Sequence, residues 1–140
     1  NDTEKNYSNY RICENLVQQL NPVKITPISE VQKQTEAALN NYYYIDPATL
    51  EDYAIYMADY ATGNADEIAM FQVKESDQMT TVKSLINDRI SDLKVRYEDY
   101  KPEEMPKIES AIIEEKGNYI FLVISPDNEK AQEVLDQLLG

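Results

Sequence analysis

The sequence predicts an α+β fold: a four-stranded antiparallel sheet made from two strand-turn-strand-helix units, with the helices packed on one face and further helices at the N-terminus. Three observations lead there. Two apolar runs with strand-like spacing followed by a helical one occur twice, across about Glu51 to Tyr97 and across about Ile108 to Leu139. The two strand-to-helix junctions align, Phe71-x-Val73-x3-Asp77 against Phe121-x-Val123-x3-Asp127. Hairpins that each return through a helix make such a sheet the economical solution, with strand order left open because either hairpin edge can dock.

At 140 residues, 42% of them hydrophobic, the chain can bury about two-thirds of its unfolded surface without disulfides or a structural metal. Residues 1–8 are polar and read as a disordered leader. Residues 9–140 read as a single domain, with N-terminal helices over 9–40 and the two units over 51–97 and 108–139. The first helix is expected from Asn9 to Leu20, with Ile12, Cys13, Leu16, Val17 and Leu20 on one face and Asn21-Pro22 as its stop. Cys13 on that face reads as a small core residue. A second helix is expected from Glu30 to Asn40. Ser29 would cap it, Gln32 would complete a capping box, and Ile28, Val31, Thr35, Ala38 and Leu39 form a thin stripe suited to a helix on the surface.

Asp46 followed by Pro47 predicts a cap and one helical turn reaching Leu50. The strand after it alternates, with Tyr53, Ile55 and Met57 on one side and Ala54, Tyr56 and Ala58 on the other. Beyond Thr62-Gly63-Asn64, the run Glu67 to Lys74 carries Ile68, Met70, Phe71 and Val73 on both faces, which predicts an interior strand. The longest helix runs from Asp77 to about Glu98. Val82, Leu85, Ile86, Leu93 and Tyr97 point inward, and Lys83, Arg89, Lys94 and Arg96 are assigned outward. Pro102 and Pro106 punctuate a connection. The second copy is a strand from Ile108 to Glu115, a tight Lys116-Gly117 turn, a strand from Asn118 to Ile124, and a helix opened by Ser125-Pro126-Asp127. That helix repeats Ala131, Val134, Leu135, Leu138 and Leu139 at i, i+3, i+4, i+7 and i+8.

Composition restricts the chemistry. There is no His and no Trp, one Cys and three Gly, so a phosphate-cradling glycine loop and an internal disulfide are excluded. Without His, a Ser nucleophile would need Lys as its base, and Lys83-Ser84 does not place the amine one helical turn from the hydroxyl. The 13 Lys and Arg against 26 Asp and Glu give a net charge of −13. That field repels nucleic acid and anionic headgroups and suits a cationic patch on another protein, while also serving solubility. No apolar run reaches the roughly 18 residues of a membrane span. The start at Asn1-Asp2-Thr3 without Met reads as a trimmed or matured product whose targeting segment, if any, lies upstream.

The stretches Tyr44-Ile45-Asp46-Pro47, Glu51-Asp52-Tyr53-Ala54-Ile55-Tyr56-Met57 and Ala65-Asp66-Glu67-Ile68-Ala69-Met70-Phe71-Gln72-Val73-Lys74, with the later Lys116-Gly117-Asn118-Tyr119 turn, carry a family likeness. Over roughly Ile28 to Leu139 the chain resembles an uncharacterised family of Gram-positive envelope proteins, domain of unknown function four-three-five-eight. The resemblance implies export, a lipid anchor on an upstream N-terminal Cys, and residence at the extracellular face of the cytoplasmic membrane. The family has no established activity, so no catalytic residue carries over, and no cofactor is implied.

Tyr supplies 11 of the aromatic residues, densest at Tyr42-Tyr43-Tyr44. Exposed Tyr rings suit stacking on sugars or a protein hot spot, and the same run could instead bridge helix and strand with a ring or two closing the core. The expected contact surface is Tyr42, Tyr43 and Tyr44 with Tyr56 and Tyr60 from the neighbouring strand and loop. The carboxylates Glu98-Asp99, Glu103-Glu104 and Asp127 to Glu129 lack the alternating oxygens of a calcium loop, so no metal ligand is assigned and a solvated surface is expected. Together with what the resemblance implies about export, these residues lead to the expectation of a non-enzymatic, secreted binding module whose partner is an envelope protein or wall component. The alternative is a carboxylate-dependent enzyme acting on wall glycans.

Overall fold

The computed structural model describes residues 12–20 and 31–140, the side chain of Tyr60 excepted. The leader 1–8, the helix start at Asn9, the Asn21-Pro22 stop and the caps and apolar positions at Ile28, Ser29 and Glu30 lie outside the described residues. In chain order come helix α1 (Ile12–Gln19), strand β1 (Val31–Lys33), a π-helix (Leu39–Tyr43), a 3-10 turn (Pro47–Thr49), β2 (Leu50–Ala58) and β3 (Glu67–Val73). They are followed by helix α2 (Met79–Tyr100), helix α3 (Met105–Glu109), β4 (Ile112–Lys116), β5 (Tyr119–Ile124) and helix α4 (Asn128–Leu139).

The sheet has five strands in the order β1-β2-β3-β5-β4, every neighbouring pair antiparallel. The expected four are present, and β1 is the addition. Val31, Gln32 and Lys33 pair with Ala58, Met57 and Tyr56, so the front half of the helix expected over Glu30 to Asn40 is a strand. A free sheet edge at β2 offers backbone hydrogen bonds that outweigh the weak helical stripe, because tertiary context overrides local propensity.

Helices cover both faces of the sheet, not one. On one face Ile55, Met57, Ala69, Phe71, Val73, Ile120, Leu122 and Ile124 pack beneath the π-helix, α2 and α3. On the other, Ala54, Tyr56, Ile68, Met70, Phe121 and Val123 meet Cys13, Val17 and Leu20 of the α1 segment and Ala131 and Leu135 of α4. The cause is the apolar-both-sides pattern of β3 and β5. Both strands bury nearly every residue, and such strands need a layer above and a layer below.

Local chemistry sets the element ends. Asp46 accepts from Ala48 N at 3.0 Å and opens the 3-10 turn. Asp127 accepts from Lys130 N at 3.0 Å and opens α4. Helix α1 receives a tertiary cap, since Asp52 Oδ2 accepts from Cys13 N at 3.0 Å. The final hairpin turns on Gly117-Asn118, one residue later than expected, with Gly117 at φ 59. Asn118 belongs to the turn because it is tied to β3: its carbonyl accepts from Val73 N at 2.9 Å and its amide donates to Val73 O at 3.1 Å. Ile108, expected in a strand, is a buried residue of α3, and β4 begins four residues on. Pro102 and Pro106 each sit in the first turn of a short helix, where a missing N–H costs nothing.

Candidate functional site

The π-helix Leu39–Tyr43 sends the three consecutive tyrosines to three environments. Tyr43 is fully buried, packs edge-on against Phe71 with ring centroids 5.1 Å apart, and donates its hydroxyl to Glu67 Oε2. Tyr42 is half-buried, with the Arg89 guanidinium lying over its ring at 5.0 Å. Tyr44 is 66% exposed and closes the π-helix in the left-handed region at φ 57, its N–H donating to Leu39 O. Tyr56 is buried on the opposite face of the sheet, where its hydroxyl accepts from Gln18 Nε2 at 3.1 Å. The side chain of Tyr60 lies outside what the structure describes. The four tyrosines whose side chains are described therefore do not assemble into one surface; Tyr42 and Tyr44 line clefts, while Tyr43 and Tyr56 are core.

Tyr42 lines a cleft of about 290 Å³ with Gln32, Gln34, Met57, Ala58 and Asp59, at the edge where β1 meets the end of β2. Tyr44 lines another of about 320 Å³, with Ile45, Asp46 and Thr49 on one side and Gln78, Thr81, Val82 and Leu85 at the start of α2 on the other. A bulky L-residue in the left-handed region costs on the order of 1 kcal/mol relative to Gly. Tyr44→Gly is thus expected to raise the urea midpoint by an amount equal to about 0.5–1 kcal/mol at unchanged m-value. A fall instead would mean that the exposed ring packs more than its accessibility suggests.

Behind Tyr42 and Tyr43 lies the most buried ion pair among the described residues. Arg89 Nη2 meets Glu67 Oε1 at 2.7 Å and Arg89 Nε meets Glu67 Oε2 at 3.1 Å, both residues at most 5% exposed. Arg89 was expected outward. It points inward because it continues the Met79, Val82, Ile86, Leu93, Tyr97 stripe of α2, and Glu67 shares the face of β3 that carries Ala69, Phe71 and Val73. Those two periodicities are the signals by which the pair could have been found in the sequence.

A second charged cluster ties the β3 entrance to α3. Lys107 Nζ reaches Asp66 Oδ1 at 2.6 Å, Glu104 Oε1 at 2.8 Å and Asn64 Oδ1 at 3.3 Å, and Glu104 Oε1 also accepts from Ala65 N at 2.8 Å. Burial alone lowers the Lys107 pKa, but the hydrogen bonds and charges of Asp66 and Glu104 outweigh it and hold the ammonium above its usual range. Asn128 joins α3 to α4, its amide donating to Ser110 Oγ at 2.7 Å and to Lys107 O at 3.1 Å while its oxygen accepts from Ser125 N at 2.9 Å. Of the acidic runs singled out in the sequence, only Glu104 is among the buried charged residues. No group of three or more His, Cys, Asp or Glu among the described residues is arranged to hold a metal ion. No described helix is long and apolar enough to cross a membrane.

Cys13 is fully buried, as its helical spacing predicts, and burial first, then the Asp52 charge, pushes its thiol far up. A buried protonated thiol is a poor nucleophile. Burial first, then the nearby Asp52 carboxylate, likewise raises Tyr119.

These features define a class: a small acidic three-layer α/β/α domain, with its charged groups paired inside and an aromatic-lined cleft at one edge of the sheet. The family model described as Domain of unknown function (DUF4358) matches residues 25–125, and the chain belongs to that family. No curated protein and no solved structure matches it.

Proposed function

We propose that this domain is a non-enzymatic binding module of an exported, lipid-anchored envelope protein of Gram-positive cells, and that the tyrosine-bearing π-helix is its recognition element. The observation that carries this is the division of labour among three adjacent rings. Tyr43 anchors the π-helix in the core, which leaves Tyr42 and Tyr44 fixed at the mouths of two clefts. Rings held in place before contact lose little entropy on binding, which is how aromatic anchors gain affinity. Holding an exposed aromatic at a backbone position that favours Gly fits a binding role, since strain of this kind gathers at functional sites. The carboxylates support the same reading against a glycan-cleaving enzyme. Glu67 is held by Arg89, and Asp66 and Glu104 by Lys107, whereas a hydrolase needs two carboxyls converging on open space. The extracellular placement rests on the family likeness of the Tyr44 to Lys74 residues.

The test is a thermal-shift screen of the domain against cell-wall fragments, short glycans, cationic envelope peptides and divalent cations with a chelator control. A ligand at 100 times its dissociation constant adds about 2.7 kcal/mol, a shift of several degrees for a domain of this size. We expect such a shift from one class, reduced by Tyr44→Ala or Tyr42→Leu in protein that still melts cooperatively. No shift from any class, or shifts indifferent to both substitutions, would remove the π-helix from consideration.

A further inference from the structure

We infer that the Tyr42 cleft takes a neutral saccharide ring, stacked on Tyr42 and hydrogen-bonded by the amides of Gln32 and Gln34. The inference rests on the binding role proposed above and specifies its ligand. Size is the first constraint. At about 290 Å³ the cleft lies at the small end of ligand pockets, which run from about 300 to 1,000 Å³. It suits one or two ring-sized groups and is too small for a partner helix.

The lining supplies the second constraint. An amide presents a carbonyl acceptor and two N–H donors, which matches hydroxyl groups that both donate and accept. Gln34 Nε2 donates to Gln32 O at 3.0 Å, which fixes that side chain while leaving its oxygen and its second N–H for a ligand. The Gln32 side-chain amide makes no hydrogen bond within the described residues. Asp59 Oδ1 accepts from Ala61 N at 2.9 Å, so its carboxylate is oriented at the rim as a further acceptor. Buried Met57 and Ala58 complete the wall with apolar surface. An aromatic ring, apolar residues and two amides lining one cleft are the combination that suits a sugar, apolar on its C–H faces and polar around its edge.

Charge excludes anionic ligands. Asp59 is the one charged residue among the described residues of the lining, and the chain carries a net −13, so an anionic ligand is repelled. A cationic ligand is the competing occupant, which the peptide titration decides; the Arg89 guanidinium, paired with Glu67, lies 5.0 Å from the Tyr42 ring centroid and holds the ring as a platform. An N-acetylated wall glycan and a plain hexose chain present the same ring chemistry, so both belong in the test.

The experiment is an amide NMR titration of the full chain with chitotriose, cellotriose and, separately, a short cationic peptide, each to millimolar concentration. Expected are saccharide-induced shifts confined to the amides of Gln32, Gln34, Tyr42 and Asp59. Affinity should fall about fivefold in Tyr42→Leu, because a stacked ring contributes on the order of 1 kcal/mol. Tyr42→Phe should retain it, since stacking uses the ring. Gln34→Ala, at a side chain outside the core, should weaken binding with the spectrum otherwise intact and guards against a Tyr42 variant that fails to fold. If the peptide shifts these amides and neither saccharide does, the saccharide inference is overturned and the binding surface stands. If no probe shifts them in folded protein, the inference falls; the screen above separately decides the wider binding role.

Discussion

Arg89→Ala is expected to destabilise the domain by about 3–5 kcal/mol, the usual cost of breaking a buried ion pair from one side. Against a total stability of about 5–15 kcal/mol this is a large share. The size follows from what is left behind. Glu67, 2% exposed, would lose its paired cation and keep the Tyr43 hydroxyl as a donor, in a layer of Leu, Ile and Phe side chains. The substitution also strips the cation from over the Tyr42 ring, so the π-helix should loosen together with the α2–β3 contact. Urea unfolding gives the number. The double variant Glu67→Leu with Arg89→Met should lose much less than either single change, because an apolar pair of similar volume leaves no orphaned charge. A single-variant loss below about 1 kcal/mol would place the pair in the class of surface salt bridges and remove this argument.

Lys107→Met should also cost about 3–5 kcal/mol near neutral pH, and here pH provides a signature. Without the ammonium, Asp66 and Glu104, whose side chains are 0% and 11% exposed, confront each other directly. Like charges sharing a desolvated site repel, and acid relieves that repulsion. The deficit of the variant should therefore shrink on acidification from pH 7 toward about 4. In the wild-type chain the sign for Lys107 itself runs on the alkaline side. Its pKa is raised in the folded state, so its contribution is complete below the ordinary lysine value of about 10.4 and is lost as pH climbs through the folded value. Melting curves of both proteins across pH 4 to about 11 test both statements. A deficit in the variant that grows with acidification would overturn the cluster's assigned role.

Much of the sheet was legible because its strands bury what their alternation declares. Tyr53, Ile55 and Met57 do face one layer and Ala54 and Tyr56 the other, and the α4 stripe from Ala131 to Leu139 is all in the core it specifies. β1 was illegible because three residues are too few to show a period of two, and Val31, Ala38 and Leu39 mimic a helix. Its strand state comes from β2, far along the chain. The covering of both faces was implied by β3 and β5 yet depends on where α1 and α4 dock, which no local pattern states. Arg89 was misplaced by charge alone, although its spacing placed it on the buried stripe. For the site, the tyrosine cluster was visible but its dispersal was not. A π-helix has no composition of its own, and it is the π-helix that sends adjacent rings to core and solvent.

The three-residue length of β1 bears on how the cleft behaves in time. Gln32 is held to the sheet through a strand with only three paired positions, all on β2, at an edge with no described strand beyond it. Short edge strands open at far lower free energy than central ones such as β3 and β5. One wall of the cleft can therefore detach while the rest of the domain remains folded. A guest bridging β1 and the π-helix closes that opening and raises hydrogen-exchange protection in β1 above all, so occupancy is written in the breathing of one edge more than in any change of shape.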